Sequence, residues 1–347
     1  MRLVMTLLVR DEADIVDAQV AFHLHAGVDL VIATDNASSD GTTEILERYE
    51  RAGRVRLLRE LGDEVHQAEW VTRMARLAAT EHDADWVINS DADEFWWPRE
   101  GSLKDVLAAV PDRFGVVRGA WRHFLPRPDD GAFFAERMVV RLARPAHPGV
   151  KTTVFHAHQK VAHRAVADVQ VEIGNHDAVG TGLLPLRGWL PIEVFHFSFR
   201  TVEQVEKKGR GGWWTRPAPD LAEHIALLGR ASAEGRIEEH LRGLTVDEEE
   251  VRAGLADETF AIDTRLRDAL RRLRREDGTF RPLDSGDPAQ LDARHPTPEE
   301  DAEFAAEVAP LAEIDSVVRA TDRADRLELR LARLEGEPPG RLRRLAR

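Results

Sequence analysis

Asp91, Asp93 and Glu94 fall within four residues of one another in WVINSDADEFWWP, residues 86–98, directly after an apolar run and directly before Phe95, Trp96, Trp97 and Pro98. Three carboxylates crowded at the end of an apolar strand repel one another and favour protonation unless a cation or donor groups offset the charge. On an extended strand end, side chains two apart point the same way, so Asp91 and Asp93 are expected to face one hard divalent cation, directly or through water. Mg2+ or Mn2+ held in this way bridges two phosphate oxygens and neutralises charge as a phosphate leaving group departs. The plainer alternative is an acidic turn in which Glu94 caps the next element. A second set, TDNASSDGT at residues 34–42, places Asp35 at a strand end, where a carboxylate accepts hydrogen bonds from a base or ribose. Asp40 sits in its Ser/Gly turn, where an Asx-turn or N-cap role is the better expectation.

The elements that must position these residues follow from hydrophobic spacing. Residues 3–9, 29–34, 55–58, 86–88 and 115–120 read as strands. Between them, 13–26 (Val16, Val20 and Leu24 on one stripe), a helix opening after Asp40-Gly41-Thr42 (Ile45, Leu46, Tyr49 inward), 66–80 (Trp70, Met74, Leu77) and 102–110 read as helices. Strand-helix alternation implies a mainly parallel sheet with helices on both faces. Ligands of open α/β sheets bind beyond the carboxyl ends of the strands, and Arg10-Asp11-Glu12, Asp35-Asn36 and Asp91 to Glu94 all fall at such ends.

The chain has 347 residues and 43% hydrophobic content, enough for one large domain of roughly 200 residues and a smaller appendage. A net charge of -14 excludes broad nucleic-acid binding, which leans on Lys and Arg, but leaves a small anionic ligand open. The absence of cysteine rules out disulfides and thiolate metal sites and fits a reducing compartment. The start, MRLVMTLLVRDEADIV, reads as a strand rather than a signal peptide, and no segment approaches the roughly 20 apolar residues of a membrane span. A cytoplasmic protein is expected, with peripheral contact at the inner face of the membrane left open.

Residues 126–215 loosen into short strands and loops rich in His, Trp and Gly, and 216–281 return to helical spacing, ending on Arg271, Arg272, Arg274 and Arg275. The Pro- and Asp-rich stretch 282–298 reads as a linker. A last helix within 299–347 carries Val317, Ala320, Ala324, Leu327, Leu331 and Leu334 at three-four spacing, a short coiled-coil-like seam for homodimerisation or for packing on the preceding helices, before a basic tail, RLRRLAR.

VRDEADIVDAQVAFHLHAGVDLVIATDNASSDGTTEIL, followed by HQAEWVTRMARLAATEHDADWVINSDADEF, resembles the family 2 glycosyltransferases, in particular a bacterial branch with Arg-Asn/Asp-Glu-Ala-Asp, Asp-Asn-X-Ser-X-Asp-Gly-Thr and Asp-X-Asp-Glu-Phe signatures. The resemblance spans residues 3–97 closely and 115–212 loosely. It implies a GT-A fold over 1–215, with a nucleotide-sugar half (1–125) fused to an acceptor half (126–215). By the same resemblance, Arg10, Asp11 and Glu12 border the nucleotide, although position 11 is Asp where many relatives carry Asn. Asp35 contacts the base and ribose, and Asp91 with Asp93 forms the metal-diphosphate motif for Mn2+ or Mg2+ and a UDP- or GDP-sugar. Phe95, Trp96 and Trp97 would wall the sugar or acceptor.

IEVFHFSFRTVEQVEKKGRGG, residues 192–212, resembles the relatives' closing segment. It implies His196 as a metal or phosphate contact and Arg200, Lys207 and Arg210 as stabilisers of the leaving diphosphate; for the charges, a helix with Lys and Arg on its wet face is the alternative. His156 and His158 could bind zinc, but no further pair at a diagnostic spacing supports that reading. GNHD, residues 174–177, resembles a segment near the relatives' active site, with His176 a contact. An inverting transfer needs a general base, and among Glu172, Asp177 and Glu193 the choice falls on Asp177. The resulting expectation is a metal-dependent, inverting glycosyltransferase acting on a glycan, lipid-linked or small-molecule acceptor. The alternatives are a sugar nucleotidyltransferase, disfavoured because VRDEAD lacks the glycines of a phosphate loop, and a non-catalytic interaction protein using the C-terminal seam.

Overall fold

The computed structural model describes residues 1–62, 65–144, 154–155, 157–187, 189–210 and 223–280, together with residue 306. His156, the linker 282–298, the seam at 317–334 and the basic tail lie outside the described residues, as does the side chain of Arg210.

Strand β1 (Leu3–Val9) leads to α1 (Val16–His25), β2 (Leu30–Asn36), α2 (Thr42–Arg51), β3 (Val55–Glu60), α3 (Gln67–Glu81) and β4 (Trp86–Asp91). After a two-residue turn come β5 (Glu94–Pro98), α4 (Leu103–Ala108), β6 (Val116–His123), α5 (Phe134–Arg137) and β7 (Val140–Leu142). Next are β8 (Gln159–Arg164), β9 (Gln170–Val171), β10 (Ala178–Val179) and β11 (Ile192–His196). The helices α6 (Val202–Arg210), α7 (Glu223–Ala233), α8 (Ile237–Leu244) and α9 (Glu248–Ala256) then precede β12 (Phe260–Ile262) and α10 (Arg265–Leu273).

The fold is α/β. Eight strands form one mixed, mostly parallel sheet in the order β3-β2-β1-β4-β8-β6-β11-β5. β3, β2, β1 and β4 run parallel, as do β6 and β11, whereas β8 lies antiparallel between β4 and β6 and β5 antiparallel along β11. β1 is buried on both faces, which is why it reads as an unbroken apolar run. Leu3, Met5, Leu7 and Val9 pack with α1, α4 and α10, while Val4 and Leu8 pack with Trp70, Val71 and Met74 of α3.

β8 and β11 interleave with strands from the first half of the chain. The helical region is likewise bound to the sheet domain: β12 pairs with β7, and Leu266, Ala269 and Leu270 of α10 enter the main core. Phe95, Trp96 and Trp97 do not wall a site. Once β5 turns back to pair with β11, these rings are covered: Trp97 stacks on Phe22 and on Phe195, and Phe95 packs edge-on against Phe22 and Phe197.

Two buried histidines set an acid limit on this core. His23 donates Nδ1–H to the Gln19 carbonyl (2.8 Å) and accepts the Trp96 N–H at Nε2 (3.1 Å), and His163 donates to the Arg164 carbonyl (2.9 Å). Burial holds each at about 4, below the ordinary 6.5, against the pull of its carbonyl. The folded chain therefore binds fewer protons than the unfolded one. Stability is fully present above pH 6.5 and is lost as pH falls towards 4. The expected cost at pH 5 is about 2 kcal/mol for each histidine. Urea unfolding at pH 7 and pH 5 measures it; equal stability at both would contradict the neutral, buried imidazoles.

Candidate active site

The chemistry-bearing residues gather at the carboxyl edge of the parallel strands. β4 ends on Asp91, Ala92 and Asp93 form the turn, and Glu94 opens β5. Antiparallel β8 brings Lys160 to this edge. The register of β11 with β6 sets His196 beside His123, and its register with β5 sets His196 opposite Glu94.

Because the turn separates them, Asp91 and Asp93 take different surroundings. Lys160 Nζ is 2.5 Å from Asp91 Oδ2 and 2.9 Å from Glu94 Oε1. Asn175 (3.0 Å) and Gln67 (3.4 Å) donate to Asp91 Oδ1. Glu94 is fully enclosed and accepts from the Trp121 indole (2.8 Å) and the Asp91 N–H (3.1 Å). Burial pushes the Glu94 carboxyl up to about 8 against Lys160, with Asp91 and Asp93 pushing the same way.

Asp93 Oδ2 is 2.9 Å from Lys208 Nζ, and its Oδ1 is 3.8 Å from His196 Nε2. Burial alone would raise Asp93, but Lys208, with Arg200 behind it, holds it well below the usual carboxylate range. Burial drives His196 well below the usual histidine value despite Asp93, so the imidazole is neutral. Lys208 also reaches Glu12 (3.1 Å). Arg200 is fully buried, donates from Nε to Asp14 (2.6 Å), from Nη2 to Asp14 and Glu12, and from Nη1 to the Phe197 carbonyl. Glu12 is raised by burial against Lys208 and Arg200.

These pairs set five carboxylates (Glu12, Asp14, Asp91, Asp93, Glu94) against three cations (Lys160, Arg200, Lys208). The crowding that the motif implied is thus offset by the lysines, by arginine and by burial that favours protonation of Glu94 and Glu12. The Asp93–His196 pair still has the spacing of two ligands of one divalent cation. Two ligands of one ion, each about 2.1 Å from it, sit roughly 3 Å apart side by side and up to 4.2 Å apart when opposed. The 3.8 Å between Asp93 and His196 lies in that range, and an ionised carboxylate with a neutral imidazole is the protonation state that binds metal. Among the described residues, no group of three or more His, Asp or Glu side chains converges on a metal position. Substrate oxygens and water would complete the shell.

The two N-terminal motifs lock to each other. Asp11, at φ +53°, accepts from the Ser39 N–H (2.7 Å) and hydroxyl, and Arg10 donates to Asn36 (3.2 Å). The Glu12 N–H meets Thr42 Oγ1 (2.9 Å) and the Ala13 N–H meets Asp40 (3.1 Å). Asp35 is buried, accepting from the Ser38 N–H (3.1 Å) and the Thr43 hydroxyl, so its carboxylate closes the turn into α2. Asp40 accepts the Thr42 N–H and hydroxyl.

Lys207 pairs with Glu203 (2.8 Å) on the wet face of α6 and stands 3.9 Å from Asp40. The Asp177 carboxylate lies 3.8 Å from Arg118 and takes the Ala178 N–H (3.0 Å). Glu193 joins Arg122 and Arg265 in a buried ion-pair network. Lys160, Lys208, Asn175, Gln67 and Trp121 were not singled out from sequence. Lys208 had a weak signal: it stands three residues after the buried Val205, on the side of the helix that Val202 and Val205 turn towards the fold.

No family model matches the chain, and no curated protein matches it. Solved structures do show similarity. A mycobacterial protein shares 19% identity over 35% of this chain and 41% of its own, with a TM-score of 0.26. Residues 1–349 of S. aureus TarS, in complex with UDP-GlcNAc, share 10% over 72% of this chain and 77% of that one, with a TM-score of 0.35. Glucosyl-3-phosphoglycerate synthase from Mycobacterium tuberculosis, in complex with Mn2+, UDP and glucosyl-3-phosphoglycerate, shares 17% over 47% and 57%, with a TM-score of 0.26. The chain thus spans about two fifths of the mycobacterial protein's length. No described helix is long and apolar enough to cross a membrane.

Proposed function

We propose that this chain is a metal-dependent GT-A-type glycosyltransferase. It would transfer a sugar, with inversion, from a UDP- or GDP-linked donor to a hydroxyl of a glycan, lipid-linked or small-molecule acceptor. The observation that carries this reading is the Asp93–His196 pair, 3.8 Å apart and flanked by Lys208, at the carboxyl edge of a mostly parallel sheet. Asp93 and His196 would hold Mn2+ or Mg2+, which when bound neutralises charge on the donor diphosphate. Lys208 adds positive charge at the same carboxylate, where the leaving diphosphate would develop its own charge. Asp91, fixed from behind by Lys160, Asn175 and Gln67, keeps 28% of its side chain exposed towards a ligand. Arg10, Asp11 and Asp35 would shape the nucleoside wall through the loops they tie together, and Lys207 would add charge at its rim.

A thermal-shift screen of UDP, GDP, CDP and dTDP, with and without Mn2+, tests the reading. One nucleotide at 100 times its Kd should stabilise the protein by about 2.7 kcal/mol, only with metal, and not in Asp91→Ala/Asp93→Ala. No shift with any nucleotide, or a shift indifferent to both aspartates, would overturn it.

A further inference from the structure

Four neighbouring strands present Lys160, Trp121, His196 and Glu94 on one face of the sheet. Side chains directly opposite in adjacent strands share a face, as do side chains two apart along one strand. β8 sets Lys160 opposite Gly119, two residues before Trp121 on β6. β11 sets Val194 opposite Trp121, two residues before His196, and β5 sets Glu94 opposite His196. β11 lies between β6 and β5. The Trp121 indole therefore reaches from β6 to β5, two strand spacings or roughly 10 Å, and crosses His196 on the way. Its Nε1–H donates to Glu94 (2.8 Å), and it stacks on the His196 imidazole, with ring centres 4.3 Å apart and planes 22° off parallel.

Both ends of this span are fixed. An indole has one N–H, and Glu94 takes it. Glu94 is itself held by the Lys160 ammonium (2.9 Å) and the Asp91 N–H (3.1 Å), beside the turn that carries Asp91 and Asp93. Lys160 Nζ also lies 5.2 Å from the centre of the Trp121 ring, the geometry of a cation–π contact. Rotation of His196 about Cβ–Cγ would drive an edge of the imidazole into the indole, so the stack holds the ring plane. Nδ1 then faces His123 Nδ1 (3.4 Å) and Nε2 faces Asp93 (3.8 Å).

We propose that Trp121 is a positioning residue of the metal site: anchored at its indole nitrogen by Glu94, it holds His196 Nε2 towards Asp93; this rests on the glycosyltransferase reading above. Trp121 acts through the imidazole and not on the donor. Glu94, the third acid of the motif, stands behind the ring as its anchor, with three donors on its carboxylate and no exposed side chain. One acid of the motif thus orients the histidine with which another shares the metal.

The test uses the full chain with the nucleoside diphosphate that gives the metal-dependent thermal shift, and reads the Mn2+ concentration at half that shift. Trp121→Leu should raise this midpoint about 10-fold or more, the usual effect of removing a group that orients a metal ligand. His196→Ala should raise it at least as far, and adding Trp121→Leu to His196→Ala should raise it no further, because the indole acts through the imidazole. A purely structural tryptophan would instead add the same loss with and without His196. Trp121→Phe keeps a ring over His196 but gives up the Glu94 bond; it should raise the midpoint by less, and paired with His196→Ala it carries the test if the leucine variant does not fold. A wild-type midpoint in the Trp121 variant, additive losses with His196→Ala, or a wild-type midpoint in His196→Ala itself would each overturn the assignment while leaving metal-dependent nucleotide binding in place. Absence of a metal-dependent shift with any nucleotide in the wild type would instead sink the glycosyltransferase reading, and this inference with it.

Discussion

Replacing Arg200 with methionine is expected to lower the unfolding free energy by roughly 3–5 kcal/mol, the usual consequence of removing one member of a buried ion pair. Arg200 has no exposed side chain, and its guanidinium joins Glu12 and Asp14, which follow β1, to a segment that follows β11. Asp14 keeps 39% of its side chain in water and would resolvate. Glu12 would not: it is buried, burial already raises it, and among the described residues Lys208 at 3.1 Å is the cation that would remain beside it. The penalty should therefore concentrate on Glu12, so the double variant Arg200→Met/Glu12→Gln should recover much of the loss. Arg200→Lys should fall between, because one ammonium cannot reproduce a planar fork that holds Asp14 through two nitrogens. Urea denaturation of the four proteins at pH 7 decides the matter. A loss under about 1 kcal/mol in Arg200→Met, or no recovery in the double variant, would mean that these charges do not fasten the β1 loop to the rest of the sheet domain.

How legible the site was in the sequence depended on which face each residue serves. β1 and the start of β4 are buried on both faces and announce themselves as apolar runs. β8, QKVAHR, did not, because Lys160 and His163 are polar residues enclosed by the fold rather than a solvated face. β6 was expected to stop at Ala120, yet it continues through Trp121, Arg122 and His123, whose polarity hides a strand end that belongs to the site. Asp91 and Asp93 stood out by type and spacing, but their counter-ions arrive from residues 160 and 208, and a lone lysine carries no periodic signal of such a contact. Arg200 was noted for its charge, whereas its burial under Glu12 and Asp14 depends on tertiary closure. Phe95 to Trp97 misled for the same reason: an aromatic run after an acidic motif looks like a ligand wall until antiparallel pairing with β11 places it in the core.

Asp93→Asn should separate structure from chemistry at the centre of the site. Asparagine preserves the shape and leaves Lys208 paired with Glu12, so the stability loss should stay below the roughly 3–5 kcal/mol of a buried charge left with no partner. Donor turnover, by contrast, should fall by about 10³-fold, since roughly 4 kcal/mol of transition-state stabilisation depends on an anionic ligand that holds the divalent cation against the diphosphate. The metal-dependent nucleotide shift should vanish with it. Lys208→Met gives the complementary reading. Lys208 lies 2.9 Å from the same carboxylate and competes with any cation for it, so its removal should lower the Mn2+ concentration needed for half the shift while slowing turnover through loss of positive charge at the leaving group. Opposite movements in metal affinity from Asp93→Asn and Lys208→Met are expected only if Asp93 is a metal ligand. If both variants merely lower the melting temperature and leave the metal dependence unchanged, Asp93 and Lys208 form a structural ion pair, and the divalent cation must be sought elsewhere or abandoned.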